Sequence, residues 1–535
     1  MSAVSRTIGR YLVETLAANG IDTVFGIPGV HNLELYRGLE FTRLRHVLAR
    51  HEQNAGFAAD GYARATSRPA AAFVISGPGA TNIVTAVAQA YSDSVPLLVI
   101  ASSPHSSSLG RRWGVLHELR DQRALLAQAA GFAGSARSAE DVRELLRQCF
   151  AVLRAPRARP AYLDVPLDLL ATPTELPIER FAAASPVPRA DPQQLARAQQ
   201  LLADAHRPLI IAGGGACGAG AALLQLLDTL DGFLITTVAA KGVVAESHPG
   251  SLGTSLPYAP AQALVAAADV VVAVGTELAE TDVYTTMRLP LAGRLIRIDV
   301  DPDKLDDQFG AEVRIQADAA TTLRQLADGT QARRGWRSAR GSASAVRRQI
   351  EQSFAGQARA QLAALQCLRG ALPADGAVFT DMTQIAYLGN YAFRSERPGL
   401  WFHPCGYGAL GFALPAALGA KIAQPARAIL ALAGDFGWQF SHQELMSAVE
   451  LDLSLPVIVW NNEALGQIRD DMRAAGIAPI GVVGRNPDFV ALASACGATG
   501  VRVHSPAQLS AALQAALKRC GPTVLEAVAA DFTDS

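Results

Sequence analysis

Cysteine is scarce and scattered in this chain: six among 535 residues, at Cys149, Cys217, Cys367, Cys405, Cys496 and Cys520, with no CxxC pair. That spacing supports neither a disulfide framework nor a zinc site, and it fits the reduced thiols of a cytoplasmic protein. Long apolar runs are missing too. No stretch of about 18 apolar residues could span a bilayer, and the N-terminus lacks the apolar centre of a signal peptide. Charge of one sign is also lacking: 47 Lys and Arg stand against 48 Asp and Glu, leaving a net charge of −1. Such a balance argues against binding nucleic acid through a basic surface. What the chain has in plenty is apolar residues, 50% of the total against 18% charged. A well-packed soluble protein of this length exceeds one core, so two to four domains are expected.

The most informative stretch is 429–467, ILALAGDFGWQFSHQELMSAVELDLSLPVIVWNNEALGQ. An apolar run at 429–433 reads as a buried strand and stops at Gly434-Asp435. A helical pattern follows, then a second apolar run at 456–460 that ends in Asn461-Asn462. Strand, helix, strand in that order is a parallel βαβ unit. It brings Asp435 and Asn462 to the carboxyl ends of two strands, where open α/β sheets bind ligands. A carboxylate and an amide oxygen are hard ligands, suited to Mg²⁺ or Ca²⁺ bridging to a diphosphate.

From the start of the chain, an amphipathic helix over 7–19 leads to a strand at 23–25 and the glycine turn Gly26-Ile27-Pro28-Gly29-Val30-His31-Asn32. A strand at 46–48 precedes RHEQNAGFAADGYAR, and another at 70–75 stops at Ser76-Gly77-Pro78-Gly79. Residues 69–100 echo 425–460: strand, glycine turn, helix and a proline-led strand recur, displaced by about 360 residues. This predicts related α/β domains at the two ends. Between them lie a Pro-rich linker at 182–192 and strands at 209–212, 234–236, 270–274 and 295–299. Gly213-Gly214-Gly215 there does not fit the ordered GxGxxG fingerprint and reads as a tight turn. Residues 328–348, rich in Arg, Gly and Ser, read as a solvated linker. The expected architecture is three open parallel-sheet α/β domains over 1–180, 190–340 and 355–535, the first and third related.

Gly434-Asp435 followed by Asn461-Asn462, and Glu52 within RHEQNAGFAADGYAR, together resemble the two signatures of thiamine-diphosphate enzymes of the acetolactate synthase and pyruvate decarboxylase type. The resemblance covers nearly the whole chain and implies the thiamine-diphosphate-binding fold, with thiamine diphosphate and Mg²⁺ as cofactors. By it, Asp435, Asn462 and the carbonyl of Ala464 hold the metal. Phe436 stands where the family usually has glycine. The resemblance also implies that Glu52 bonds the pyrimidine N1′, which promotes removal of the thiazolium C2 proton by the neighbouring amino group. Gly408-Ala409-Leu410 matches the turn beneath the cofactor, with Leu410 as the wedge that bends it. Thr383, Gln384, Gly434 and Phe436 fall where relatives meet the diphosphate, and Gly77 and Asn82 face the pyrimidine side. His31, His117 and Gln122 match polar positions near the reactive carbon and are the further catalytic candidates.

Four stretches, FGIPGVHNLELYRGL, RHEQNAGFAADGYARAT, AYSDSVPLLVIASS and LGRRWGVLHELRDQRAL, resemble 5-guanidino-2-oxopentanoate (2-ketoarginine) decarboxylases. The implied reaction is decarboxylation of a 2-oxo acid to the aldehyde and CO₂. A guanidinium tail needs a carboxylate, for which Asp470 and Asp471 are candidates by position. The alternatives are acetolactate-synthase-type carboligation and a non-catalytic relative that keeps the cofactor. No feature demands FAD. The family pattern also implies a homo-oligomer, at least a dimer and by expectation a tetramer. The charge balance and the lack of long apolar runs imply no nucleic-acid or membrane partner.

Overall fold

The strands form where short apolar runs lack the polar alternation of a half-exposed sheet; 70–74, 270–274 and 429–434 are buried along their whole length. Buried on both faces, such strands need helices on either side and parallel neighbours. The computed structural model, which describes residues 6–182, 186–284, 288–332 and 335–532, has this arrangement three times. The first sheet holds β1 (Thr23–Gly26), β2 (Arg45–Leu48), β3 (Ala70–Val74), β4 (Leu97–Ser103), β5 (Phe132–Ser135) and β6 (Ala161–Pro166). The central sheet holds β7 (Pro208–Ala212), β8 (Phe233–Thr236), β9 (Val270–Val274), β10 (Arg294–Asp299) and β11 (Val313–Gln316). The third holds β12 (Ala377–Thr380), β13 (Trp401–Phe402), β14 (Ile429–Gly434), β15 (Pro456–Asn461), β16 (Thr499–Val503) and β17 (Thr523–Val528).

The strand orders are β2-β1-β3-β4-β6-β5 in the first sheet and β13-β12-β14-β15-β17-β16 in the third. Counted within each domain, these are one and the same order, so the echo between 69–100 and 425–460 extends to the topology. The central sheet runs β11-β10-β9-β7-β8. Its glycine turn continues as a 3₁₀ segment, Gly214–Ala219, and packs on the backbone of Gly275. No helix among the described residues is long and apolar enough to cross a membrane.

Helices Glu52–Thr66 and Ala413–Ala423 cross between the first and third domains and merge the two cores into one apolar cluster. Phe57 and Phe412 meet edge to face at the crossing, with ring centroids 5.4 Å apart. The backbones touch: a Cβ on Gly419 would stand 1.8 Å from the Ala58 carbonyl oxygen, and one on Gly61 2.0 Å from that of Ala416. Neither oxygen belongs to a side chain that could rotate away. Gly419→Ala is therefore expected to cost about 3 kcal/mol or more, since overpacking here moves two helices rather than a rotamer. Denaturant unfolding checks this; wild-type stability would mean that the crossing yields.

One stretch departs from its sequence reading. Residues 336–352 are not a solvated linker but two helices, Trp336–Arg340 and Ala343–Gln352, docked on the central domain. Trp336 lies edge-on to Phe233 at 5.3 Å, and Val346 and Ile350 are buried. Arg337 reaches Asp231 at 2.9 Å along the rim. Arg340 and Arg348 stay exposed, while Arg337 and Arg347 turn inward to Asp231 and to the Glu246 and Ser251 carbonyls, so the arginines mask the apolar spacing beneath them. Of the Pro-rich linker, residues 183–185 lie outside the described segments.

Candidate active site

Two polar clusters stand at the carboxyl ends of the outer sheets. In the first domain, Glu52 opens a helix behind β2, with the His51 side chain capping it by accepting the Gln53 N–H at 3.1 Å. Its carboxyl is buried, and Asn82 donates to Oε2 at 2.9 Å. Asn82 ends the short helix Pro78–Asn82 that follows β3. The turn into that helix requires Gly77, which has φ +63° and lies so close to His117 that a Cβ would stand 2.6 Å from the His117 carbonyl oxygen.

His31 and His117 come together over this turn, their rings edge to face with centroids 5.0 Å apart. His31 Nδ1 lies 2.5 Å from the Ser76 hydroxyl. Burial, and then the charge of His117 beside it, push the His31 imidazole below its ordinary value. Gln122 is buried and fully engaged: Oε1 accepts the Gly77 N–H at 2.8 Å, while Nε2 reaches the Ser102 carbonyl at 3.0 Å and the Tyr162 hydroxyl at 2.7 Å. It braces the glycine turn. Glu52, Asn82, Gly77, His31, His117 and Gln122 thus lie in one group of contacts.

In the third domain, Asp435 begins the short helix Asp435–Gln439 directly after β14 and is 2% exposed. Burial pushes its carboxyl up, against a pull from the Asn486 amide, which donates to Oδ2 at 2.7 Å. Asn486 also donates to Asn461 Oδ1 at 2.9 Å, and Asn461 donates in turn to Glu526 at 2.8 Å. The first asparagine of the pair is therefore a structural strut. The second, Asn462, is half-buried; its Oδ1 accepts the Ala464 N–H at 3.3 Å and its amide lies 3.4 Å from Gln384. Glu463 between them takes a left-handed φ of +54°, which folds the chain back on itself. Thr383 lies against Gly434, where a Cβ would stand 2.8 Å from its hydroxyl oxygen. The Phe436 ring packs on Gly484.

Gly408 (φ +70°) and half-buried Leu410 lie in a turn tied down by Asp381, whose Oδ2 accepts the Gly411 N–H at 2.9 Å. Burial pushes Asp381 up to about 6 despite its backbone N–H donors. Asp470 is already occupied. It accepts from Gln384 at 2.9 Å and from Arg469 at 3.1 Å, and Arg473 lies 3.7 Å away. Partial burial pushes its carboxyl up, but the Arg469 and Gln384 hydrogen bonds and the two arginine charges hold it below its ordinary value. Asp471 is exposed, and its carboxyl accepts from Gln467 at 2.9 Å.

Asp435 has no cationic partner among the described residues, and a buried carboxylate without one is costly. A divalent cation answers that charge. No group of three or more His, Cys, Asp or Glu among the described residues could hold a metal by itself. One carboxylate with amide and carbonyl oxygens leaves positions for phosphate oxygens, which is how Mg²⁺ is commonly held. The residues fit Mg²⁺ bound together with a diphosphate. Sequence reasoning did not single out Asn486 or Asp381. Asn486→Ala is expected to weaken Mg²⁺ about 10-fold by freeing the Asp435 carboxyl, as loss of a partner behind a ligand commonly does. Metal titration of the cofactor-saturated protein reads this, and unchanged affinity would remove Asn486 from the site.

Comparison with known proteins agrees with this geometry. Residues 6–125 match the family described as "Thiamine pyrophosphate enzyme, N-terminal TPP binding domain", 195–326 its central domain, and 381–527 its C-terminal TPP binding domain. The chain is 48% identical to a probable 2-ketoarginine decarboxylase of Pseudomonas aeruginosa over 97% of its own length and 93% of the relative's. It is 29% identical to the acetolactate synthase isozyme 3 large subunit of Escherichia coli, covering 95% and 92%. A probable acetolactate synthase large subunit of Methanococcus aeolicus is 28% identical over 96% and 90%.

Proposed function

The chain belongs to the thiamine pyrophosphate (thiamine diphosphate) enzymes, and from that membership we propose that it decarboxylates 5-guanidino-2-oxopentanoate. The cofactor chemistry rests on its two buried carboxylates, Glu52 on the first sheet and Asp435 on the third, each held by an asparagine. The choice of substrate rests on the 48% identity to the Pseudomonas relative. The reaction balances as R–CO–COO⁻ + H⁺ → R–CHO + CO₂. Bound thiamine diphosphate would supply the nucleophilic carbanion of an acidic ring carbon and an electron sink for the pair left by CO₂. Glu52, with Oε2 engaged by Asn82, has Oε1 left to exchange a proton with the pyrimidine N1′. Asp435, Asn462 and the Ala464 carbonyl would hold Mg²⁺, with Thr383, Gln384, Gly434 and Phe436 around the diphosphate, and Gly408 and Leu410 would hold the pyrimidine.

His31 and His117, edge to face at 5.0 Å over the Gly77 turn, relay the proton that the aldehyde carbon takes up. Of the two acidic candidates for the guanidinium, Asp471 is the freer, because Arg469 and Arg473 already neutralise Asp470. We further infer a homodimer or larger assembly. Val30, Trp113 and Leu116, next to the first cluster in sequence, and Tyr407, Phe440 and Val483, next to the second, are more than half exposed. Exposed apolar side chains flanking both clusters in sequence favour a second copy as their cover.

The test is CO₂ and product analysis with thiamine diphosphate and Mg²⁺ across pyruvate, branched, aromatic and guanidino 2-oxo acids. The expected result is 4-guanidinobutanal as the sole organic product from the guanidino acid. Acetolactate from pyruvate would move the protein to the carboligases and retire the guanidinium assignment.

A further inference from the structure

The first and third domains hold each other's site segments. The turn carrying Gly408 and Leu410 belongs to the third domain, yet the first anchors it: Asp93 accepts the Gly406 N–H at 2.8 Å and Gln89 the Ala409 N–H at 3.2 Å. Conversely, the segment carrying Glu52 belongs to the first domain and is anchored by the third. Glu444 Oε1 accepts the Arg50 N–H at 2.6 Å. The Ser447 hydroxyl lies 3.0 Å from both the Leu48 carbonyl and Glu444 Oε2. Arg50 pairs in addition with Glu450. All three side chains come from one helix, Glu444–Glu450.

We propose that Glu444 is the positioning residue for Glu52, fixing from the third domain the backbone two residues ahead of that carboxyl. This rests on reading Glu52 as the group that exchanges a proton with the cofactor. Glu444 is 2% exposed and has no ion pair among the described residues, so backbone N–H groups of the first domain are its chief partners. Burial pushes its carboxyl up, and the Arg50 N–H followed by the Ser447 hydroxyl pull it back. The Arg50 N–H meets Glu444 Oε1 at 2.6 Å, at the short end for an N–H donor, so the Arg50 position is tightly set. Helix Glu52–Thr66 begins two residues further on, and its first side chain is the one that must meet the cofactor. Misplacement of a reacting group by about 1 Å can cost about 100-fold in rate.

The experiment is deuterium exchange at C2 of bound thiamine diphosphate, quenched in acid and read by NMR without substrate, with cofactor affinity and thermal unfolding measured alongside. Glu444→Ala is expected to slow exchange about 10- to 100-fold while cofactor affinity changes less than about threefold. Glu444→Gln keeps an oxygen for the Arg50 N–H and is expected to recover most of the rate. Should Glu444→Ala fail to fold, Ser447→Ala carries the test, with slowing of about threefold expected as the Glu444 carboxyl loosens. Wild-type exchange in whichever alanine variant folds would overturn the proposal, as would a loss that merely follows lost cofactor or that glutamine does not repair. Wild-type protein that fails to accelerate exchange over free cofactor would instead overturn the role given to Glu52.

Discussion

Glu52→Gln will bind thiamine diphosphate and Mg²⁺ as the wild type does and turn over at least about 100-fold more slowly. The substitution keeps the shape of the side chain, its burial and an oxygen for the Asn82 amide that now lies 2.9 Å from Oε2. Helix Glu52–Thr66 keeps its cap, because His51 supplies it. What the amide lacks is an exchangeable proton at the pyrimidine N1′. The loss therefore falls on rate and leaves affinity and unfolding temperature in place. Calorimetric titration of the cofactor beside steady-state CO₂ release separates the two. A variant with the wild-type kcat would end the catalytic assignment and favour a relative that keeps the cofactor for another purpose.

Asp435→Ala will show the opposite pattern. Its carboxyl is the only charged group among the three proposed metal ligands, so removing it is expected to weaken Mg²⁺-dependent cofactor binding at least about 100-fold, the upper end for losing even a supporting group. The Asn486 amide loses one acceptor but keeps Asn461, so the loop need not collapse. Cofactor titration with Mg²⁺ and with a chelator gives the comparison. Wild type should lose affinity in chelator, and the variant should bind equally weakly in both. Equal wild-type affinity with and without metal would refute the site.

Some of this was legible from residues alone. The buried strands were, because apolar runs bounded by glycine permit little else, and so was the relation between the end domains, because both echo segments are whole βαβ units. Asp435 and Asn462 were legible as hard ligands at two strand ends, whereas Glu52 was legible only through the resemblance of its segment to a family signature. The supports were not. Asn486 meets Asp435 from 51 residues away, and Glu444 meets Arg50 across 394. Each is a single polar residue with no spacing to mark it, and only the folded chain brings the partners together. Residues 336–352 went unread for another reason: arginines along a helix look like solvent until Trp336, Val346 and Ile350 are seen beneath them.

The glycine crossing of helices Glu52–Thr66 and Ala413–Ala423 also sets a clock. Gly61 and Ala58 make their contacts with residues some 360 positions later in the chain. At a synthesis rate of about 5–20 residues per second, that interval is about 20–70 s. Throughout it, the face made by Phe57, Ala58 and Gly61 has no mate on the nascent chain. A finished neighbour on the same messenger carries the missing helix ready-made, so exchange of the Ala413–Ala423 helix between chains competes with closure at home. Slower translation of the third domain should raise the share of exchanged and aggregated protein, and an early holdase on the first domain should lower it.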